Sequence, residues 1–290
     1  MLKIKSYLSL IKFSHTIFAL PFAAIGFFIG SRVIGDQFLD WKLFGLVVFC
    51  MVTAMNAAMA FNRWADRDFD KLNPRTESRE LPSGVISSKH AILFVVVNSL
   101  LFILAAFLIN FICFLLSPIA LFIILGYSYT KRFSWLCHVF LGLGLSLAPI
   151  GAYLAVTGHF HFLPILYSVA VICWVAGFDI IYALQDVQFD QKYNLQSIPA
   201  HFGYSKSLVV SSVLHIICGL SIMTGVWILY RDFDLSYLMF SGSLGFIILL
   251  ISQHVIIGKG DLSKINLAFF TTNGIASIVL AVGTILDFYW

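Results

Sequence analysis

The sequence predicts an all-helical membrane protein in which nine transmembrane helices form one bundle. Of its 290 residues, 60% are hydrophobic and only 11% are charged, and the mean hydropathy is +0.94. A soluble globular domain has about 25% charged residues. The apolar residues also lie in long runs, and a transmembrane helix needs about 20 of them. We therefore expect a single transmembrane domain over residues 1–290, without a separate soluble domain.

Nine apolar runs account for most of the chain. The first follows a basic start, but no suitable small-x-small cleavage site comes after it, so we expect a retained span rather than a signal peptide. The third and fourth runs meet at Asn110-Phe111, which predicts a tight helical hairpin. The fifth is rich in glycine and serine, which let helices approach closely in lipid. The runs are 13–34, 43–61, 91–109, 112–129, 135–157, 163–184, 208–230, 237–257 and 266–288.

The basic residues indicate the orientation. With nine spans, only Arg32, Lys42 and Arg231 lie on the far side, so the other 15 of the 18 Lys and Arg lie on the N-terminal side. The positive-inside rule then places the N-terminus in the cytoplasm. We expect a multi-pass protein of the bacterial inner membrane. Its net charge of +4 reflects this sidedness and does not predict nucleic-acid binding, and its five cysteines form no Cys-x-x-Cys motif that would suggest zinc or disulfides.

Two acidic clusters interrupt the apolar pattern. Asn62, Asp66 and Asp70 follow the second run in steps of four, and Asp186 and Asp190 follow the sixth. If each cluster prolongs its helix, residues four apart share one face. Carboxylates are costly near a membrane and usually functional there, and oxygen ligands suit Mg²⁺. We therefore predict that the clusters meet on the cytoplasmic side and that these five residues hold Mg²⁺ against a diphosphate.

Residues around the clusters could bind the rest of a substrate. Asp179 and Tyr182 lie on the turns before the second cluster, and Asp179 is too deep in its apolar run to be an ordinary helix-end charge. Arg and Lys can neutralise the charge of a departing diphosphate, although the positive-inside rule alone would also explain basic residues here. The cationic candidates are Arg75, Arg79, Lys131 and Arg132.

The two clusters and their flanks resemble the signatures of the UbiA superfamily of intramembrane prenyltransferases. The first signature corresponds to Asn62 through Asp70 with Arg75-Thr76, Arg79 and Leu81-Pro82-Ser83-Gly84. The second corresponds to Asp179 through Asp190 with Ser197-Ile198-Pro199, and Tyr129 with Lys131-Arg132 matches the basic patch after span four. The resemblance covers nearly the whole chain. It is greatest for the 4-hydroxybenzoate polyprenyltransferases and for a sister group that prenylates a naphthoate acid in the futalosine route to menaquinone.

The resemblance implies a bundle around a lipid-facing cavity. It also implies Mg²⁺-dependent transfer of a polyprenyl group from polyprenyl diphosphate to an aromatic acid in respiratory quinone biosynthesis, with no protein partner. The acceptor is a 4-hydroxybenzoate or, alternatively, a dihydroxynaphthoate. The chain departs from the common pattern at Arg63, where many members have Asp, and at Glu80, where many have Pro. Arg63 and His15 are further candidates for acceptor binding.

Other readings of the sequence remain. A transporter could use Asp179 as a proton relay. A phosphatidyl-alcohol phosphotransferase also binds metal at a membrane surface, but its aspartates lie in one continuous motif, whereas these lie in two distant segments. Protohaem farnesylation and chlorophyll prenylation are alternatives within the prenyltransferases. The prenyl chain length, the acceptor and the oligomeric state are not determined by the residues.

Overall fold

The computed structural model describes residues 2–11, 16–35, 40–233, 237–257 and 265–289. Within these ranges all regular structure is helical, which confirms the predicted fold class. A 3-10 turn, Leu184–Asp186, joins α7 to α8, and a π-helical segment, Leu267–Thr272, precedes α11. The helices are α1 (Leu2–Leu10), α2 (Thr16–Val33), α3 (Trp41–Asp70), α4 (Ser88–Ile109), α5 (Phe111–Thr130), α6 (Cys137–Thr157), α7 (Phe162–Ala183), α8 (Val187–Lys192), α9 (Ile198–Phe233), α10 (Leu238–Ile257) and α11 (Asn273–Asp287).

The helices make this a multi-pass membrane protein. Each of the nine predicted apolar runs contains a helix. In the described ranges, eight helical stretches are long and apolar enough to cross a bilayer, and the apolar part of α2, Phe18–Val33, is shorter. Nine crossings and a cytoplasmic N-terminus therefore stay predictions.

Two compact units make up the described chain. The first comprises Met1–Ile17 and Asp40–Tyr129, and the second comprises Phe18–Leu39 and Thr130–Trp290. Their organisation as a single functional domain stays a prediction, and each unit is described by itself below.

In the first unit, α3 packs along α4 through small residues such as Ala57, Ala60 and Ala91, which are completely buried. Asp40 caps the N-terminus of α3, and its Oδ1 accepts hydrogen bonds from the backbone N–H groups of Lys42 and Leu43. Its 30 residues correspond to about 45 Å of helix. Because the hydrocarbon core is about 30 Å thick, the polar C-terminal turns of α3 can extend beyond it.

The connection between α4 and α5 is a single residue, Asn110. Its backbone is extended, and its Oδ1 accepts a hydrogen bond of 2.9 Å from the N–H of Cys113 in the first turn of α5. The rings of Phe107 and Phe114 contact each other across this connection, with their centroids 5.3 Å apart. The short connection predicted at Asn110-Phe111 is therefore confirmed, and the packing of α4 and α5 as a hairpin stays a prediction.

In the second unit, α6 and α9 pack against α7, and α10 packs along α11. The core is aromatic, with Trp174, Phe22 and Phe246 completely buried and in mutual ring contact. The side-chain oxygen of Asn273 accepts hydrogen bonds from Trp174 Nε1 at 2.9 Å and from Gln253 Nε2 at 2.7 Å. These bonds satisfy polar groups that would otherwise be costly in the interior.

The predicted close approach of small residues in the fifth run is confirmed at one position. A Cβ atom on Gly142 would lie 2.5 Å from the backbone oxygen of Ile172, so α6 and α7 touch there through their main chains. Nearby, Ser168 Oγ donates a 2.8 Å hydrogen bond to the carbonyl of Ser146. Gly151 differs, because among the described residues no atom lies within 4 Å of its added Cβ.

The end of α7 differs in one respect from the prediction. The chain remains helical through Lys192, but α7 itself ends at Ala183 and the 3-10 turn follows it. A 3-10 turn has 3.0 residues per turn rather than 3.6, so it rotates the side chains after it relative to those before it. The prediction that Asp186 and Asp190 prolong the helix of the sixth run is therefore confirmed, and the 3-10 turn within that helix is the feature that was not predicted.

Candidate active site

The first acidic cluster lies on the last turns of α3. Asn62 Nδ2 donates a hydrogen bond of 3.2 Å to Asp66 Oδ2, as expected for residues four apart on a helix. Asp66 is partly exposed, whereas Asp70 at the end of the helix is buried. The predicted step of four therefore places the first two side chains in contact.

Asp70 connects the helix to the loop that follows it. Its Oδ1 accepts a 2.7 Å charged hydrogen bond from Arg79 Nη1, and its backbone carbonyl accepts one of 3.0 Å from Thr76 Oγ1. Within the described residues, the other carboxylate oxygen, Oδ2, is buried and has no hydrogen-bond partner. A buried carboxylate oxygen without a partner is unusual, and a bound ligand or ion at this position would explain it.

Arg63 is buried on α3, with only 5% of its surface exposed. Its charged neighbours are Arg79, Asp70 and Glu80. In the described part of the chain its Nε is buried without a hydrogen-bond partner. Arg63 therefore belongs to the same polar cluster as the Asp70–Arg79 pair.

The remaining predicted residues of the first unit lie around this cluster. Arg75 is in the loop after α3, where its N–H donates to Asn73 Oδ1 at 3.0 Å. Tyr129 is near the end of α5, and its ring lies 5.8 Å from that of Phe61 on α3. His15 lies outside the described residues.

The second acidic cluster contains two different carboxylates. Asp186 ends the 3-10 turn and is partly exposed, whereas Asp190 on α8 is completely buried. Asp190 forms a 2.7 Å ion pair with Lys131, and its Oδ2 accepts a 2.8 Å hydrogen bond from Ser197 Oγ. Both oxygens of Asp190 are therefore already engaged by the protein, and its role as a metal ligand stays a prediction.

Lys131 lies between α5 and α6 and faces both acidic residues of this cluster. Burial alone lowers the pKa of its ammonium group, but the charge and hydrogen bond of Asp190, together with the charge of Asp186, outweigh that effect and raise the pKa above 10.5. Lys131 therefore carries a positive charge at neutral pH. Its side chain is 34% exposed, so part of the cation can still reach a ligand. Arg132 follows it directly in the chain.

Asp179 has a partner that the sequence did not suggest. His138, at the start of α6, places Nδ1 2.7 Å from Asp179 Oδ2. The signal available in the sequence was a lone histidine in the opening turn of an apolar run, which is too weak to indicate a partner 41 residues away. Ser197 belongs to the second signature, but the signature did not predict its hydrogen bond to Asp190.

Tyr182 lies in an aromatic cluster of the second unit. Its ring is 4.2 Å from that of Phe269 and 6.3 Å from that of Phe270, both in the π-helical segment. Phe178, one turn earlier on α7, also contacts Phe269 at 5.1 Å. Aromatic faces therefore line the α7 side of the second unit next to Asp179 and Asp186.

The donor set suits a magnesium ion. Asn62, Asp66, Asp70 and Asp186 carry amide and carboxylate oxygens, and the Oδ2 of Asp70, which is buried without a hydrogen-bond partner among the described residues, suits a bound cation. Within the described ranges, no three His, Cys, Asp or Glu side chains are gathered into a metal site by themselves. Mg²⁺ is commonly bound by one or two carboxylates together with substrate phosphates, so a ready-made protein cage is not required.

The structure thus joins the predicted residues into two groups. In the first unit Asn62 contacts Asp66, and Asp70 pairs with Arg79 beside Arg63. In the second unit, Lys131 forms an ion pair with Asp190 and is also attracted by the charge of Asp186. That the two groups meet stays a prediction.

Comparisons with known proteins give the family. Residues 19–275 match the model of the UbiA prenyltransferase family. The 4-hydroxybenzoate octaprenyltransferase of Nitrosomonas eutropha is 32% identical over 244 residues, which are 83% of this chain and 83% of that protein. The enzyme of the same name from Paraburkholderia phytofirmans is 30% identical over 204 residues, 68% of this chain and 70% of that protein.

Solved structures agree with this result. A UbiA homologue from Aeropyrum pernix K1 has a TM-score of 0.83 at 32% identity, covering 94% of this chain and 98% of that one. A UbiA homologue from Archaeoglobus fulgidus, bound to GPP and Mg²⁺, shares the fold with a TM-score of 0.71 at 22% identity, covering 98% and 100%. The resemblance seen in the signatures is confirmed, and this chain belongs to the UbiA prenyltransferase family.

Proposed function

We propose that this protein transfers a polyprenyl group from polyprenyl diphosphate to an aromatic acid of the 4-hydroxybenzoate type, in respiratory quinone biosynthesis. The reaction takes place at the cytoplasmic side of the bacterial inner membrane and depends on Mg²⁺. The observation that carries the proposal is that each unit places carboxylates beside a cation, Asp70 with Arg79 and Asp186 with Lys131. The names of relatives 32% and 30% identical to the chain support the substrate class.

The two carboxylate groups are assigned to the diphosphate end of the substrate. Asn62, Asp66 and Asp70 of the first unit and Asp186 of the second are the residues that would hold Mg²⁺, which would supply positive charge to stabilise the departing diphosphate. Asp190 serves mainly to hold Lys131, because its oxygens already bind Lys131 and Ser197. Arg75, Arg79, Lys131, Tyr129 and Arg132 are assigned to diphosphate binding.

The acceptor is assigned to the other side of the second cluster. Asp179 lies on α7 seven residues before Asp186, which ends the 3-10 turn. Tyr182 lies between them and offers an aromatic face. An electron-rich ring carbon next to a hydroxyl group forms the bond to the allylic prenyl carbon, whose bond to the diphosphate oxygen breaks, and the ring carbon then loses its proton so that the ring is aromatic again. The apolar surroundings keep water from competing for the allylic carbon. Arg63 and His15 are alternative groups for the carboxylate of the acceptor.

A product assay tests the proposal. Purified protein in detergent or lipid is incubated with Mg²⁺, one of several prenyl diphosphates, and either 4-hydroxybenzoate or 1,4-dihydroxy-6-naphthoate, and the products are identified by mass spectrometry. We expect a prenylated aromatic acid that disappears when the metal is chelated. If protein that unfolds cooperatively forms no product with any pair of substrates, the proposal is contradicted. The alternative function as a transporter is then favoured.

The two acceptors are compared at equal concentration. Product from the benzoate identifies the proposed activity. Product from the naphthoate alone keeps the prenyl transfer but moves the protein to the menaquinone alternative. The chain length of the best diphosphate is read from the same experiment.

A further inference from the structure

The pair formed by His138 and Asp179 lies apart from the residues assigned to the metal. His138 is almost completely buried, with 3% of its side chain exposed, whereas the carboxylate of Asp179 is 22% exposed. His138 Nδ1 lies 2.7 Å from Asp179 Oδ2. On its other side, His138 Nε2 accepts a 3.3 Å hydrogen bond from the backbone N–H of Ile198. The imidazole is therefore held at both of its nitrogen atoms.

These partners define the protonation of the ring. A backbone N–H can only donate, so Nε2 of His138 acts as the acceptor and carries no proton. Nδ1 therefore carries a proton, which it donates to Asp179 Oδ2, and this hydrogen bond fixes the direction of that oxygen. The same logic applies to metal-bound histidines, whose tautomer is set by the hydrogen bond at the second nitrogen.

The second oxygen of Asp179 is the one available to a ligand. Within the described residues, His138 is the polar partner of the Asp179 side chain, and the bond uses Oδ2. The carboxylate is partly exposed. Asp179 follows Phe178 directly on α7 and lies about one turn before Tyr182. Carboxylate oxygens are strong acceptors of hydrogen bonds from hydroxyl groups.

His138 also connects Asp179 to the diphosphate residues. Ile198 directly follows Ser197, which donates to Asp190, and Asp190 in turn holds Lys131. The backbone adds a further tie, because the N–H of Gln196 donates a 2.7 Å hydrogen bond to the carbonyl of Lys131. The loop of residues 194–198 therefore supports both Lys131 and His138.

We propose that His138 is a positioning residue, which keeps the Asp179 carboxylate turned so that its second oxygen accepts the hydrogen bond of the acceptor's ring hydroxyl. This inference rests on the proposed function. Asp179 touches the substrate, and His138 acts through Asp179. The aromatic acid, rather than the prenyl diphosphate, is the substrate whose use depends on this pair.

Steady-state kinetics of four variants test the proposal. In His138→Ala we expect kcat/KM for the aromatic acid to fall about 10- to 100-fold, the loss typical when a residue that orients a functional side chain is removed. The KM for prenyl diphosphate stays unchanged. His138→Asn keeps an N–H donor close to the position of Nδ1 and recovers most of the loss. Asp179→Asn and the double variant His138→Ala/Asp179→Asn have equal activity, because His138 has no target once the carboxylate is gone.

His201→Ala is the matched control, because His201 is an exposed histidine of the same unit that stacks on Trp135. It should behave like the wild type. If His138→Ala is inactive because it does not fold, the comparison of His138→Asn with Asp179→Asn decides the question. Equal losses for both substrates, multiplicative losses in the double variant, or no rescue by asparagine overturn the assignment.

The outcomes separate this inference from the proposed function. A wild-type protein that forms no prenylated acid overturns the proposed function, and the inference with it. A wild-type protein that is active, with a His138→Ala variant of equal activity, overturns the inference alone.

Discussion

At the scale of single residues, aspartates that look alike in the sequence have different surroundings. Asp68 is exposed beside Arg67, with 80% of its side chain accessible, whereas Asp66 binds Asn62. Asp190 is buried against Lys131, whereas Asp186 is partly exposed. These differences allow each aspartate to be tested against a neighbour of the same chemistry.

Asp66→Asn tests the metal assignment. Replacing the carboxylate by an amide keeps the size of the side chain but removes a negative ligand, so we expect turnover to fall about 100-fold or more. Asp68→Asn, two residues away, should leave turnover unchanged. Product formation under saturating Mg²⁺ measures both. Normal activity in Asp66→Asn would remove this residue from the proposed metal ligands.

Lys131→Met tests the buried ion pair by its effect on stability. Removing one partner of a buried pair costs about 3–5 kcal/mol because the other charge remains uncompensated, and the partial exposure of Lys131 favours the lower end. The double variant Lys131→Met/Asp190→Asn leaves no such charge and should be more stable than Lys131→Met. Thermal unfolding in detergent compares the two proteins. A double variant less stable than the single one contradicts the pairing.

The residues of the site could be predicted in part. Steps of four in Asn62, Asp66 and Asp70 follow helix geometry, and the Asn62–Asp66 contact agrees with it. The partners of Asp179 and Asp190 could not be predicted in the same way, because they come from residues 41 and 59 positions distant in the chain, His138 and Lys131. Such contacts depend on how helices pack, which local sequence patterns do not encode.

At the scale of helices, close packing depends on where a glycine faces. The fifth apolar run was expected to pack tightly because it is rich in small residues, and Gly142 does so against α7. Gly151 on the same helix faces open space within the described residues. The composition therefore predicted that this helix packs closely against a neighbour, but it could not identify the glycine at which the close contact occurs. The 3-10 turn at Leu184–Asp186 was missed for a related reason, since no proline or glycine marks it in the sequence.

Gly142→Ala tests this contact. The added methyl group would meet the main chain of α7 at Ile172, which cannot move aside as a flexible side chain could. We expect a loss of about 1–3 kcal/mol in stability, the usual cost of overpacking. Gly151→Ala on the same helix is the control and should keep the stability of the wild type. Equal unfolding temperatures for the two variants would argue against the close approach.

At the scale of the whole molecule, the apolar surface agrees with a membrane environment. Large side chains on α4 and α5 are exposed, among them Phe122, Phe111 and Leu104, and apolar surface of this extent is unfavourable in water. The nine predicted runs all contain helices because their length and hydropathy are strong local signals. The sidedness of the protein comes from the distribution of Lys and Arg, and it remains to be tested.

Cysteine labelling tests the orientation. On a background in which the five native cysteines are replaced, Ser83→Cys and His159→Cys introduce single exposed thiols in two loops. The positive-inside rule predicts that an impermeant reagent labels residue 159 in intact cells. Residue 83 should be labelled only after the membrane is opened. The reverse pattern would place the N-terminus outside, and labelling of both would contradict the span count between them.

The ion pair and hydrogen bonds between residues 131–138 and 190–198 couple the positions of these two stretches. Lys131 binds Asp190, Gln196 binds the main chain of Lys131, and Ile198 binds His138. The two stretches cannot slide apart unless several of these bonds break together. A displacement of the Lys131 ammonium group would therefore also displace the imidazole ring of His138.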